Sequence, residues 1–554
     1  MMAMRAADML DPITLEVCWS RLIGVVNEQA AALQRTSFTS IVREAGDLSA
    51  GVFDRRGYMV AQAVTGTPGH INSMALAMGH FLRAYPLETL QPGDVLITND
   101  PWQTSGHLND VTICSPVFRG SECVAFFAST CHTADIGGHV LSAEAREVYE
   151  EGLQIPIMKL YEAGRPNESL FRILRANVRL PEMVLGDFHA QIAGGAVGGE
   201  RLLEFMDEFG LERLEPLADE IIGRTERAMR EAIRALRPGI YTHEITTDGF
   251  DEPITLRVRC EIRGDELLID YAGSSPASRR GVNVVMNYTE AYTTYGVKVI
   301  VSPDVPNNEG AFRPLRITAP EGSILNVKRP AAVAARHVIG HFLPHAIAGA
   351  LGQAIPGRVM AEGSANIGGI HVSGKDLADR PFSYIVFASG GTGARAGKDG
   401  LSATAFPSGV LGTPVEVIEN LSPLIIEKKE LCGGSGGAGR YRGGLGQTIA
   451  FRGQSREPVA CSDPRRSHPP PRPGLSRRCP GRRRRGVDRR GGAVDPAGRA
   501  ARAAGRTRRG PPPRRRRLRA AGGARWPSRR GRSVRRLRLR GSLRLGPPLL
   551  SRPG

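Results

Sequence analysis

The stretch Asn99-Asp100-Pro101-Trp102-Gln103-Thr104-Ser105-Gly106-His107-Leu108-Asn109-Asp110 leads into two apolar runs, Val111–Phe118 and Cys123–Thr130. It closes with Cys131-His132-Thr133-Ala134-Asp135-Ile136-Gly137-Gly138-His139. The runs flank Arg119-Gly120-Ser121-Glu122, a short polar turn containing glycine, and this pattern predicts a β-hairpin. A symmetric turn brings Asp110 and His132 out at the same open end of the ladder. Directly opposed residues have Cβ atoms about 5 Å apart, close enough to share one ion. His107 lies three residues before Asp110. His107, Asp110 and His132 are ordinary ligands for a divalent transition metal, and three protein ligands leave positions open for water or substrate. The same residues would also serve to cap turns, and spacing by itself leaves both readings open. Asp135 and His139, just beyond the third ligand, are candidates for acid/base work or for orienting the ligands. Asp135 would equally bond the backbone of the Ile136-Gly137-Gly138 turn.

Upstream, Asp11 is a good N-cap and Pro12 suits a first helical turn. Leu15, Trp19, Leu22, Ile23, Val26, Ala30 and Leu33 follow 3.6-residue spacing. Ala50–Phe53 and Tyr58–Ala63 around Asp54-Arg55-Arg56-Gly57 predict a second hairpin. Residues 71–84 read as helix. Glu44 and Asp47, in the polar cluster Arg43-Glu44-Ala45-Gly46-Asp47, are candidate acid/base residues or partners of Arg43. Downstream, helices are expected near 143–151, 169–179, 181–208 and 213–236. Pro238-Gly239 ends the last of these. Strands are expected at 240–246, 254–262, 266–271, 415–419, 424–428 and 447–451, and buried helices at 287–302 and 337–355. The glycine-dense loop 433–446 lacks the Gly-Lys-Ser/Thr ending of a phosphate-binding loop and reads as an array of turns.

The fold class expected is α+β: a mixed multi-layer protein with an N-terminal metal-bearing region (11–237), a β-rich second region (238–453) and a disordered C-terminal tail (454–554). The net charge of +19 is unevenly spread. From Arg456 onward there are 32 Arg, no Lys and 4 acids, so the tail is about +28 and the remainder about −9. The tail also lacks Asn, Gln, Ile, Met, Phe and Tyr. Such a composition cannot bury enough apolar surface to offset the entropy of ordering. The missing residue types are largely those with AT-rich codons, which points to a frameshift in a GC-rich gene near 453–465. The competing reading, an Arg-rich arm binding nucleic acid through phosphate without specificity, ranks well behind, with Trp526 its one aromatic. The eight cysteines form no C-x-x-C pair, in keeping with reduced thiols and a cytoplasmic protein. Cys131 is a potential soft ligand or nucleophile, although a small buried strand residue fits better. No signal peptide or run of 18 apolar residues is evident, and no membrane span is expected.

The chain resembles the hydantoinase B family, which includes the B component of ATP-dependent N-methylhydantoinases, the C-terminal half of 5-oxoprolinase and, more distantly, the alpha subunit of acetone carboxylase. The resemblance runs over about 11–451. It is carried by Asp11-Pro12-Ile13-Thr14-Leu15-Glu16-Val17, Arg43-Glu44-x-x-Asp47-Leu48-Ser49, Pro68-x-His70, Asn99-Asp100-Pro101, Gly106-His107-Leu108-x-Asp110 and His132-x-x-Asp135-Ile136-Gly137-Gly138, then Gly273-Ser274-Ser275-Pro276 and Gly436–Gly444. It implies the B-type subunit of an ATP-dependent cyclic-amide hydrolase, of hydantoin or 5-oxoproline type. A hydantoinase A-type partner subunit would use ATP to phosphorylate the substrate carbonyl oxygen. The resemblance implies His107, Asp110 and His132 as ligands of a divalent metal, with Mn, Zn and Fe not distinguished. It also implies His70, with Asp47, as a substrate contact. Asp135, Glu44 or His139 would supply the acid/base step. The alternatives are a subunit of a ketone carboxylase of acetone or acetophenone type, and an inactive truncated relic with a scaffold role. The family continues as folded sequence beyond the glycine-rich loop, where this chain departs from it.

Overall fold

The computed structural model describes residues 11–455 and 460–462, with 140, 251 and 366 excepted. The expectations about the rest of the tail fall outside these residues. Helix α1 (Pro12–Thr36) starts at Asp11, whose carboxylate accepts the Thr14 N–H at 3.0 Å. Its buried stripe is Leu15, Trp19, Leu22, Val26, Ala30 and Leu33, while Ile13 and Val17 are exposed. After the short α2 (Ser40–Arg43) come the hairpin β1 (Leu48–Asp54) and β2 (Met59–Gln62), helix α3 (Pro68–Ala84) and β3 (Val95–Thr98). The opening stretch then forms β4 (Asp110–Arg119) and β5 (Glu122–His132), followed by β6 (Met158–Glu162) and the two-residue β7 (Arg165–Pro166). These strands make one sheet in the order β2-β1-β5-β4-β3-β6-β7.

Helices α4 (Glu168–Asn177), α5 (Pro181–Glu208) and α6 (Glu215–Arg234) follow. The central sheet is covered on both faces. Val52 and Phe127 pack with Leu22, Val26, Leu202 and Phe205 of α1 and α5. The adjacent Phe53 and Phe126 point the other way, onto Met74, Met78 and Phe81 of α3, as the two-residue period of a strand requires. Gly198 lets α5 lie close to the sheet, because a Cβ there would meet the Phe127 ring at 2.5 Å.

A second sheet, in the order β11-β10-β9-β8, uses β8 (Gly239–Thr247), β9 (Ile254–Arg263), β10 (Glu266–Asp270) and β11 (Leu315–Thr318). Its apolar face packs on α7 (Met286–Val301) and α9 (Leu343–Leu351), with the short α8 (His337–Gly340) ahead of α9. Beyond lie β12 (Ile367–Lys375), β13 (Pro381–Ser389), α10 (Val415–Leu421), the pair β14 (Leu424–Leu431) and β15 (Gln447–Gly453), and β16 (Ala460–Ser462). The whole is a mixed α/β protein with several sheets. The described residues fall in one compact unit. Among them no helix is long and apolar enough to cross a membrane.

Two elements differ from expectation. Residues 143–151 form no helix beyond a single 3-10 turn at Val148–Glu150. Their backbone donors go elsewhere: Glu144 N–H to Ser142 Oγ, Arg146 N–H to the Glu150 carboxylate and Val148 N–H to the Pro330 carbonyl. Side-chain and loop acceptors have displaced the helical ones. Residues 415–421 are helix α10 rather than a strand, with Ile418 as the buried contact. The β-branched residues that suggested a strand carry only a weak preference that tertiary packing overrides. Cys18, Cys114, Cys123, Cys131 and Cys260 are free and buried.

Candidate functional site

The β4–β5 register sets Asp110 directly opposite His132, because the ladder shifts by one residue between Val117 and Phe118; unshifted pairing would set it opposite Cys131. His107 comes from the loop just before β4. One nitrogen from each histidine and one Asp110 oxygen lie within 4.8 Å of one another, and all three residues are buried. His107 Nε2 is 2.7 Å and His132 Nδ1 3.0 Å from Asp110 Oδ1. His70, near the start of α3, brings Nε2 to 2.8 Å from Asp110 Oδ2. The Arg336 guanidinium donates to Oδ2 as well and to the Ser105 carbonyl, and lies 4.1 Å from the centroid of the Tyr288 ring. Three imidazoles and one guanidinium therefore converge on one carboxylate.

This donor set fits a metal ion. The Ala334 carbonyl, 2.9 Å from His107 Nδ1, can only accept, so Nδ1 carries the proton. Burial, then the Arg336 charge, pushes His107 down to about 4, so the ring is neutral near pH 7 and Nε2 presents a lone pair. That lone pair faces an Asp110 oxygen without making a hydrogen bond. Two acceptor atoms this close repel unless a cation lies beside them. His132 Nε2 also has no hydrogen-bond partner. Neutral imidazoles and a carboxylate are what a divalent transition ion takes.

The charges support this state. Burial opposes ionisation of Asp110, but its charged and hydrogen-bonding neighbours, His70 and Arg336 among them, outweigh it and hold the carboxyl well below its usual range. Burial also works against a charged His70, yet Asp110 and Asp47 raise it. Asp47 Oδ1 lies 3.8 Å from His70 Nδ1 and accepts the Thr67 hydroxyl at 2.6 Å.

The cluster lines a cavity of ≈ 50 Å³. At ~10–15 Å³ per water, that is room for an ion with its waters. Tyr288, Arg336, His337 and His341 close the far side, with Ile367, Ile385 and Phe387 as apolar wall. Burial, then His341 and Arg336, pushes His337 well below its ordinary value; burial and Arg336 push His341 to about 3. These residues of the second region complete a site expected from the N-terminal region. Their signal was present as Arg336, His337, His341 and His345 interrupting the apolar run 331–355, since polar groups in a buried segment need a reason to be there.

Glu151 secures that segment. Its Oε1 accepts the N–H groups of Val333 at 2.6 Å and Ala334 at 2.7 Å. It thereby fixes the loop that offers the Ala334 carbonyl to His107 and carries Arg336. Burial pushes Glu151 up to about 8 against the pull of those two N–H groups.

Of the residues expected from sequence, His107, Asp110, His132, His70 and Asp47 share the cavity. Asp135, Glu44 and His139 do not line it. Asp135 accepts the Gly137 N–H at 3.1 Å and pairs with Arg179 at 2.7 Å. Glu44 pairs with Arg43 at 3.1 Å. His139 is exposed, and its backbone N–H donates to the Glu150 carbonyl. Cys131 packs in the α1–α5 core, and burial raises its thiol well above the ordinary value, so it is a core residue.

The Hydantoinase B/oxoprolinase family matches residues 11–526. The chain belongs to this family. This hydantoinase B-type chain is 31% identical over 459 residues to the B component of a putative D-/L-hydantoinase of Pseudomonas sp. (strain NS671), covering 79% of this chain and 77% of that one. It is 31% identical over 460 residues to the beta chain of the caprolactamase of Pseudomonas jessenii, covering 79% and 78%. It superposes on the crystal structure of the ATP-dependent caprolactamase from that organism with TM-score 0.74 and 29% identity, over 80% of this chain and 79% of that one. The fold is shared with a nucleotide-free acetone carboxylase, at TM-score 0.75 and 20% identity over 82% and 63%.

Proposed function

We propose that this chain is the B-type subunit of an ATP-dependent cyclic-amide hydrolase, acting on a hydantoin, 5-oxoproline or lactam ring with an A-type partner that uses the ATP. The observation that carries this reading is the buried His107–Asp110–His132 cluster, in a chain whose relatives include a hydantoinase B component and a caprolactamase beta chain. His107, Asp110 and His132 would hold the divalent ion, which when bound supplies Lewis-acid chemistry, polarising a carbonyl or lowering the pKa of a water. Arg336 and His70 keep Asp110 ionised for that role. His70, whose protonated form Asp110 and Asp47 favour, would give a proton to the leaving nitrogen; Asp135, Glu44 and His139 lie outside the cavity. One water adds its oxygen to the carbonyl carbon whose oxygen the partner has phosphorylated, the C–N bond breaks with the nitrogen leaving as a protonated amine, and a second water releases the phosphoryl group of the resulting acyl phosphate as inorganic phosphate.

The test is co-expression with an A-type subunit and an intact C-terminus. ATP-coupled opening of 5-oxoproline, hydantoin or caprolactam is expected, with loss of both bound metal and turnover in the His107→Ala/His132→Ala double variant. Full turnover by that variant would refute the site. The shared fold with acetone carboxylase favours one second reading, a ketone carboxylase subunit, and bicarbonate-dependent ATP use with acetone or an aryl ketone separates the two. Metal analysis separates either enzyme from a metal-free relic. We also propose the frameshift near 453–465; an uninterrupted reading frame across codons 450–466 in an independent clone would remove it.

A further inference from the structure

A second cavity, of ≈ 440 Å³, lies between the end of α7, helix α9 and two loops. This is the size of a small-molecule pocket. Val299, Ile300, Ala348, Val359 and Phe406 give it an apolar wall. Arg358, Arg395 and Lys398 also line it, and among the described residues no acidic one does.

The cations are placed by local structure. Arg395 and Lys398 are the two ends of a tight turn, with Arg395 N–H donating to the Lys398 carbonyl at 2.9 Å and Lys398 N–H returning to the Arg395 carbonyl at 3.2 Å. Gly397 takes φ +74 at its tip, the left-handed conformation that glycine adopts without steric cost. Arg395 Nε and Nη2 both bond the Asp399 carbonyl, at 3.1 and 2.9 Å, which fixes that guanidinium against the wall without neutralising it. Glu362, the acid felt by His345, is engaged by His243 Nε2 at 2.7 Å. His345, another lining residue, is buried, and its Nε2 has no hydrogen-bond partner. His345 lies four residues after His341, which lines the first cavity.

An apolar wall beside three uncompensated cations suits a ligand with an apolar body and one anionic end. We propose that this second cavity binds a small organic carboxylate, its oxygens held by Arg358, Arg395 and Lys398 and its body by the α7–α9 wall. The choice of a carboxylate among anions rests on the proposed hydrolase reading, because opening a cyclic amide releases one. The binding itself needs neither metal nor turnover.

Titration of the full chain with hexanoate, hexanamide and inorganic phosphate, followed by calorimetry, tests this. Hexanoate is expected to bind, and hexanamide to bind about tenfold more weakly or worse, since a charge-assisted contact is lost. The Arg358→Gln/Lys398→Gln variant should weaken hexanoate by about tenfold or more with its melting temperature unchanged. Equal binding of hexanamide, binding of phosphate in place of hexanoate, or hexanoate affinity untouched in the double variant would each overturn the proposal. Failure of the hydrolase reading shows separately: hexanoate binds as expected while no cyclic amide is opened.

Discussion

His107 Nδ1 donates to the carbonyl of Ala334, 227 residues further along the chain, at 2.9 Å. The bond fixes the tautomer of a candidate metal ligand from a loop belonging to the second region. The carboxylate of Glu151 holds that loop through two backbone N–H groups. Loss of this support should be felt at the metal rather than at the substrate. Groups that orient a metal-bound histidine are typically worth ~10–100-fold in metal affinity.

Glu151→Ala should therefore weaken divalent metal binding by about 10–100-fold. Glu151→Gln, which keeps an acceptor oxygen for Val333 and Ala334, should restore most of it. Chelator competition on the purified chain measures both. If His107→Ala loses the metal while Glu151→Ala holds it normally, the link through Ala334 is wrong; if His107→Ala still binds metal, the ligand assignment is.

The same residue sets a pH dependence. Glu151 titrates at about 8 in the folded chain against 4.5 for an ordinary glutamate. Its protonated form is favoured by folding, so its contribution to stability is fully present below about pH 4.5 and is lost as pH rises towards 8. The slope is at most ~1.4 kcal/mol per pH unit. Urea denaturation at pH 5 and pH 8 should show a smaller fall for Glu151→Gln than for the native chain. Identical falls would show that the carboxyl does not resist ionisation.

Gly106, one residue before His107, has φ +86, and a Cβ there would meet Arg336 Cδ at 2.8 Å and Tyr288 Cβ at 3.1 Å. Gly106→Ala should cost about 1–3 kcal/mol from backbone strain, and it should displace the guanidinium from Asp110. A lowered urea midpoint together with weaker metal binding is expected. Unchanged stability would mean that the loop relaxes freely.

His139 is exposed, and Glu44 pairs with its neighbour Arg43 outside the cavity. In an active complex, His139→Ala and Glu44→Gln should keep kcat within about twofold, as substitutions away from a site usually do. Asp135→Asn should instead lower the melting temperature, because it breaks the pair with Arg179. A hundredfold loss of kcat in either of the first two would return that residue to the chemistry.

The sequence by itself determined the hairpin and what lies on it. A two-residue strand period and a short polar turn bring Asp110 and His132 to the same open end, with His107 close along the chain, but it is the one-residue shift of the ladder between Val117 and Phe118 that sets Asp110 opposite His132. Helices opened by a proline and carrying a long apolar stripe, such as Pro12–Thr36 and Pro181–Glu208, were legible for the same reason: the information is local. Tertiary structure decided the rest of the site. Arg336 bonds Asp110 from 226 residues further along the chain, and Tyr288, His337 and His341 line the same cavity, only because α7 and the 331–341 segment pack against α3 and the open end of the β4–β5 hairpin. No periodicity encodes that meeting. It also set the partners of Asp135, whose place two residues from a turn glycine and beside Arg179 commits its carboxylate to the backbone and to an ion pair. Spacing brings a residue near a site, but the partners that compete for its polar atoms fix which way it turns.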